Sequence, residues 1–168
     1  MLFRSLIQVR KMKYVRRKGK TVERIDLGQV GEVVKVEPRL VRTLEEAGFI
    51  PCIAPIGVDD KGRSYNINAD SVAGEVAAAL SAEKLVLLSD TDGILDQKGS
   101  LISTLNRMKI KTLIGAGVIA GGMLPKVEAC LKALEGGASK AHIINGKRPH
   151  SLLLEIFTEK GIGTEIVN

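Results

Sequence analysis

Tryptophan is missing from this sequence, and tyrosine and phenylalanine bring the aromatic content to only 3%. Single-stranded nucleic acids are gripped largely by stacking on aromatic platforms, so nucleic acid is not expected as a partner despite a formal charge of +6. The charge excess is also local. Arg4, Arg10, Lys11, Lys13, Arg16, Arg17, Lys18 and Lys20 all fall near the start, as on the outer faces of a solvated hairpin. Cysteine is sparse too: Cys52 lies in the apolar run Phe49 to Ile56 and Cys130 in a helical stretch. Both read as buried free thiols, which points to a reducing, cytoplasmic setting. Two separated cysteines and the separated His142 and His150 make no zinc set, and no protein-held metal is expected. No apolar run approaches the roughly 20 residues needed to span a bilayer, and no signal-peptide pattern follows Met1 to Ser5. Nucleophile motifs such as Gly-x-Ser-x-Gly do not occur, nor does the P-loop pattern of Gly-Lys followed by Ser or Thr.

What is present is a globular composition, 45% hydrophobic and 26% charged over 168 residues, enough for one sizeable core. Leu6 to Asp26 reads as two strands about a turn at Arg17 to Lys20, followed by a β-rich stretch from Val30 to Val36. Pro38 opens a helix whose Leu40, Val41, Leu44 and Ala47 share a face, and Gly48 closes it as a left-handed cap. The run Phe49 to Ile56 reads as a strand buried on both faces. Beyond it, helical patterns at Ala69–Leu80, near Met108–Ile114, at Met123–Glu135 and after Pro149 alternate with short apolar strands at Lys84–Leu88, Ala141–Ile144 and Thr164–Val167. Such alternation predicts an α/β fold, an open and mostly parallel sheet between helix layers.

Ligands of open parallel sheets bind beyond the carboxyl ends of the strands, which directs the search to three loops. Tyr65 to Asp70 places Asn66, Asn68 and Asp70 at the mouth of the Ala-rich helix. One helix needs one cap, so three polar residues are more than capping requires; a ligand role is favoured for Asn66 and Asp70, and stands level with capping for Asn68. Ser89 to Gly93 sets a hydroxyl and the carboxylates of Asp90 and Asp92 after a buried strand, where they could meet a ribose, phosphates or a coordinated magnesium ion, although a plain polar turn has the same composition. In the third loop Gly115, Gly117, Gly121 and Gly122 precede a helix with Pro125 and Lys126 in its first turn. A cation there opposes the helix dipole, and a bound anion would reverse the sign of that interaction. Glycines, backbone N–H groups and one ammonium describe a phosphate site. His142 reads as a core or edge histidine, and no chemistry is expected of His150.

The segments Asp26 to Glu32, Tyr65 to Asp70, Leu85 to Leu95, Gly121 to Val127, His142 to Gly146 and Lys160 to Thr164, in this order and spacing, resemble the acetylglutamate kinases of the amino-acid kinase family. The likeness runs from about Leu6 onward. It implies the amino-acid kinase fold, with about 1–80 as the remainder of a substrate-side lobe and about 81–168 as a nucleotide-binding lobe. It implies transfer of phosphate from ATP, carried with Mg2+, to the side-chain carboxylate of N-acetyl-L-glutamate, a step of arginine biosynthesis. By resemblance, Lys126 and Asp70 are catalytic: Lys126 meets the phosphoryl group in flight and Asp70 orients catalytic lysines. Asn66 and Asn68 are substrate-binding, while Ser89, Asp90, Asp92, Gly93, Leu95, Gly117, Gly121 and Gly122 line the nucleotide. The family's opening strand, Gly-rich loop, second lysine and substrate arginine have no counterpart here, so a truncated and by itself inactive chain is expected, with homo-oligomers in the full-length form. A sister kinase for acetylated aminoadipate or a carrier-bound amino acid, and a non-catalytic nucleotide-binding fragment, are the alternatives.

Overall fold

Short strands of alternating burial recur in both of two packing units, Met1–Val72 and Ala73–Asn168, and the second adds one strand that is buried almost continuously. The computed structural model describes residues 5–18, 21–158 and 161–168; the centre of the turn expected at Arg17 to Lys20 and most of Met1 to Ser5 lie outside them.

In the first unit, strand β1 (Ile7–Lys11) buries Ile7 and Val9 and turns Gln8 and Arg10 outward, the period-2 pattern of a half-buried strand. After the antiparallel hairpin of β2 (Tyr14–Lys18) and β3 (Thr21–Ile25), β4 (Gly31–Val36) pairs antiparallel with β1. Helix α1 (Arg39–Glu46) buries Val41. Gly48, at φ +82°, closes it as the sequence predicts: its N–H donates to Glu45 O, and that of Phe49 to Leu44 O, the paired bonds of a Schellman motif. Strand β5 (Ile56–Val58) lies parallel to β1 and antiparallel to β6 (Ser64–Asn66), which completes a four-stranded sheet in the order β4-β1-β5-β6. The β5–β6 turn is organised by Asp59. Its carboxylate accepts the N–H groups of Lys61 and Arg63, each at 2.9 Å, and the Tyr65 hydroxyl at 3.1 Å, and it pairs with the Arg63 guanidinium at 2.7 Å. Burial works to raise this carboxyl, but the Arg63 and Lys61 N–H groups, the guanidinium and the phenol outweigh it and hold the pKa at about 2.

Two expectations fail in this unit. Phe49 to Ile56 is irregular up to β5 rather than a buried strand, with Phe49 64% and Ile50 93% exposed. Pro51 and Pro55 supply the reason, since neither has an N–H for a ladder and proline in a central strand breaks the pairing. Cys52, in the same segment, is exposed and not buried.

Helix α2 (Ala69–Leu80) matches its predicted span and runs across the unit boundary. The second unit continues with β7 (Lys84–Ser89), β8 (Thr104–Asn106), α3 (Arg107–Gly115), α4 (Met123–Glu135), β9 (Lys140–Asn145), α5 (Ser151–Phe157) and β10 (Thr164–Val167). The sheet order is β7-β9-β10-β8. β7 and β9 are parallel over their whole length, β9 and β10 antiparallel, and β10 and β8 parallel. The α/β class is as expected, with mixed pairing in both four-stranded sheets. Ala141, Ile143 and Ile144 of β9 are fully buried, with Ile166, Val127, Ala133 and the free thiol of Cys130. Glycine lets α2 and α4 touch: a Cβ on Gly74 would lie 2.7 Å from the Ala129 carbonyl oxygen, and one on Gly136 would overlap Ala78.

Candidate functional site

Because β7 and β9 run parallel and in register, their last residues Ser89 and Asn145 end side by side, and the loops that follow emerge from the same end of the sheet. The Gly146 N–H donates to the Ser89 carbonyl at 2.8 Å, and the Asn145 amide donates to Asp92 Oδ1 at 2.8 Å. The Ser89 hydroxyl lies 3.2 Å from that of Thr91 and 3.5 Å from Asp90 Oδ1. Asp90, Thr91 and Asp92 face solvent while Gly93 and Ile94 are buried beneath them. Gly93 has φ +146°, and a Cβ there would stand 2.6 Å from Thr164 Oγ1, so both backbone and space demand glycine. Leu95 bridges antiparallel to Leu101 about a turn at Gly99, whose N–H donates to the Asp96 carbonyl. Ser89, Asp90, Asp92, Gly93 and Leu95 thus form one internally bonded loop presenting a hydroxyl and two carboxylates.

The Gly-rich segment leading to α4 is open: nothing lies within 4 Å of a Cβ built on Gly115, Gly117, Gly121 or Gly122. Gly117, at φ +71°, also has a duty independent of any ligand. Its N–H donates to Ile114 O, and that of Val118 to Leu113 O, so it closes α3 with a Schellman motif. Helix α4 begins at Met123, two residues before Pro125. The N–H groups of Met123 and Leu124 donate to the carbonyls of Ala120 and Gly121, and Pro125 has no N–H to offer. These first-turn donors are therefore engaged within the turn. Lys126 follows, half-buried, just ahead of the fully buried Val127.

The remaining candidates stand in the first unit. Asn68 caps α2, its Oδ1 accepting the Ser71 N–H at 3.0 Å, which satisfies one of the helix's orphan donors. Capping thus accounts for Asn68 and leaves Asn66 and Asp70 without that explanation. Asn66 is exposed at the end of β6, with its backbone N–H donating to Gln29 O at 2.8 Å. Asp70 is half-buried in the first turn of α2, where the helix dipole favours a carboxylate.

In the second unit, sequence reasoning gave no role to a buried cluster between β9 and α5. His142 on β9 meets Glu155 of α5, Nδ1 to Oε1, at 2.6 Å, while Oε2 accepts the N–H groups of Ile162 at 2.6 Å and Gly163 at 3.1 Å. Burial works to raise the Glu155 carboxyl, but the Ile162 N–H, the imidazole and the Gly163 N–H outweigh it and hold it below the usual carboxylate range. His142 Nε2 is buried without a hydrogen-bond partner. Among the described residues no group of three or more His, Cys, Asp or Glu is placed to hold a metal ion. No helix among the described residues is long and apolar enough to cross a membrane.

The sequence profile of the amino acid kinase family matches residues 3–145. The chain belongs to the amino-acid kinase family. Within that family it is 56% identical over 167 residues to the acetylglutamate kinase of Heliobacterium modesticaldum, covering 97% of this chain and 57% of the relative. It is 53% identical over 166 residues to that of Moorella thermoacetica, covering 96% and 56%. The chain therefore spans somewhat more than half the length of the curated relatives it matches. The crystal structure of N-acetylglutamate synthase from Neisseria gonorrhoeae, complexed with coenzyme A and L-arginine, superposes on this amino-acid kinase chain with a TM-score of 0.80 at 33% identity, over 96% of this chain and 37% of the synthase.

Proposed function

We propose that this chain carries the nucleotide-handling part, and a portion of the substrate site, of an acetylglutamate kinase in the cytoplasm. The observation that carries the reading is the 56% identity to a curated acetylglutamate kinase across 97% of the chain, supported by the polar loop at the carboxyl end of β7 and the Gly-rich segment that leads to α4. In the reaction, a side-chain carboxylate oxygen of N-acetyl-L-glutamate attacks the γ-phosphorus of ATP. The bond from that phosphorus to the bridging oxygen breaks, and ADP leaves with the electron pair. Ser89, Asp90, Asp92, Gly93 and Leu95 hold the nucleotide on one side and Gly117, Gly121 and Gly122 on the other. Asn66 contacts the acetylglutamate, while Asn68, whose Oδ1 caps α2, has only its amide NH2 to offer it. Asp70 orients the catalytic lysines, and the Lys126 ammonium meets charge growing on the transferring oxygens, the kind of electrostatic stabilisation on which phosphoryl transfer depends. Magnesium, bound to the phosphates, would neutralise further charge, with Asp90 and Asp92 the nearby carboxylates able to reach it.

The 57% coverage of the relative favours a second reading for the chain by itself, a nucleotide-binding part that lacks turnover. Titration calorimetry is expected to show MgADP binding, while coupled assays show no acetylglutamate-dependent ADP release until the remaining part of a relative is added. Steady turnover by the chain alone would refute this, and an absence of MgADP binding would remove the nucleotide site. In a full-length enzyme rebuilt around this sequence, Lys126→Met is expected to lower kcat roughly a hundredfold, about 3 kcal/mol, with little change in KM for acetylglutamate. Normal folding with near-normal turnover would make Lys126 a surface residue.

A further inference from the structure

Thr164 opens β10 and is fully buried. Its Oγ1 accepts the Ile94 N–H at 2.8 Å and donates to the Ile102 carbonyl at 2.7 Å. The same oxygen backs Gly93, where it occupies the space a side chain would need. The position of Thr164 is fixed from behind, because Glu155 takes the N–H groups of the two preceding residues, Ile162 and Gly163. The Ser89 to Leu95 loop is thus pinned at two points, at Asp92 by Asn145 from β9 and at the Gly93–Ile94 peptide by Thr164 from β10.

We infer that Thr164 is a positioning residue for nucleotide binding: its hydroxyl fixes the Gly93–Ile94 peptide and so sets how Ser89, Asp90 and Asp92 are presented. The inference rests on the nucleotide-site reading above. It differs from a packing role in a way two substitutions separate. Valine keeps the shape of threonine and loses the hydroxyl, whereas serine keeps the hydroxyl and loses the methyl. If packing alone mattered, valine would be the mild change and serine the costly one. A hydroxyl that holds a buried N–H reverses that order, since an orphaned buried donor is the expensive outcome.

The test is MgADP titration calorimetry on the whole chain and its Thr164→Val and Thr164→Ser variants, with amide hydrogen exchange read at Ile94. Thr164→Val is expected to weaken MgADP binding on the order of tenfold, the scale of one lost hydrogen bond, and to speed exchange at Ile94; Thr164→Ser is expected to restore both. Unchanged affinity and unchanged Ile94 exchange in Thr164→Val would overturn the inference, as would a serine variant as weak as the valine one. Should Thr164→Val fail to fold, Thr164→Ala set against Thr164→Ser gives the same contrast. If the unaltered chain binds no MgADP, the nucleotide reading is what fails, and exchange at Ile94 then decides the positioning role alone: faster in valine and restored in serine supports it, unchanged overturns it.

Discussion

The buried residues of the first unit are spread along short strands, with Ile7, Val9, Val36, Val41, Tyr65 and Ile67 as its interior, while Leu40, Phe49, Ile50 and Ile56 stay exposed. In the second unit the interior gathers about one strand, β9, whose apolar side chains meet β7, α4 and β10 together. The difference teaches that apolar content alone does not make a core. Phe49 to Ile56 is as hydrophobic as β9, but its prolines deny it a ladder, whereas Lys140–Asn145 has strands on both edges.

Substitutions can break that comparison. The largest effect is expected for Ile143→Ala, which should lower stability by about 3–4 kcal/mol in urea unfolding, because a fully buried central position leaves a cavity. Ile50→Ala, an equal change in side chain at an exposed site, should stay within about 0.5 kcal/mol. If the two cost the same, the contrast between the regions is wrong. Next, Gly74→Ala should cost about 1–3 kcal/mol, since its methyl meets the Ala129 backbone and rigid neighbours do not yield cheaply. Thermal melts of Gly74→Ala beside Gly115→Ala, where nothing lies within reach, measure this.

Acid titration sharpens the comparison further. Asp59 in the first unit and Glu155 in the second both have folded-state pKa values below their unfolded ones. Each therefore contributes stability that is present above the unfolded carboxylate pKa, about 4, and lost as pH falls through the folded value. For Asp59 that loss extends down to about pH 2. Asp59→Asn and Glu155→Gln should each flatten the fall in melting temperature between pH 5 and about 3. A slope unchanged by either variant would show that other carboxylates govern acid stability. The smallest effect is expected for Phe49→Ser, near zero on melting temperature in thermal melts, because the side chain it removes is already exposed.

Much of this architecture was legible from local signals. The Ala-rich pattern fixed α2, the left-handed glycine requirement located the end of α1, and the polar residues after Leu88 marked the loop that β7 presents. The family likeness carried by the loops agrees with the profile match to residues 3–145. Where reading failed, the cause was either a conflict between local signals or distance along the chain. Hydrophobicity at Phe49 to Ile56 outvoted Pro51 and Pro55, and Cys52 was misplaced with it. The bonds of the Thr164 hydroxyl leave no trace in the sequence because its partners, Ile94 and Ile102, lie far away along the chain, and no period or cap reports such a bond. Gly117 shows a subtler limit. One left-handed glycine serves a helix end and a candidate phosphate loop at once, and sequence alone cannot separate the duties.

The central place of β9 also has a consequence for how the second unit comes to be folded. Among the described residues β7 finds its parallel partner in Lys140–Asn145, and β8 joins the same sheet through β10. A nascent chain that has emerged through α4 holds helices able to form locally, but its strands still lack neighbours. Closing such non-local parallel pairings slows folding, so β7 and its loop stay open to chaperones and proteases until the last third of the unit has been translated.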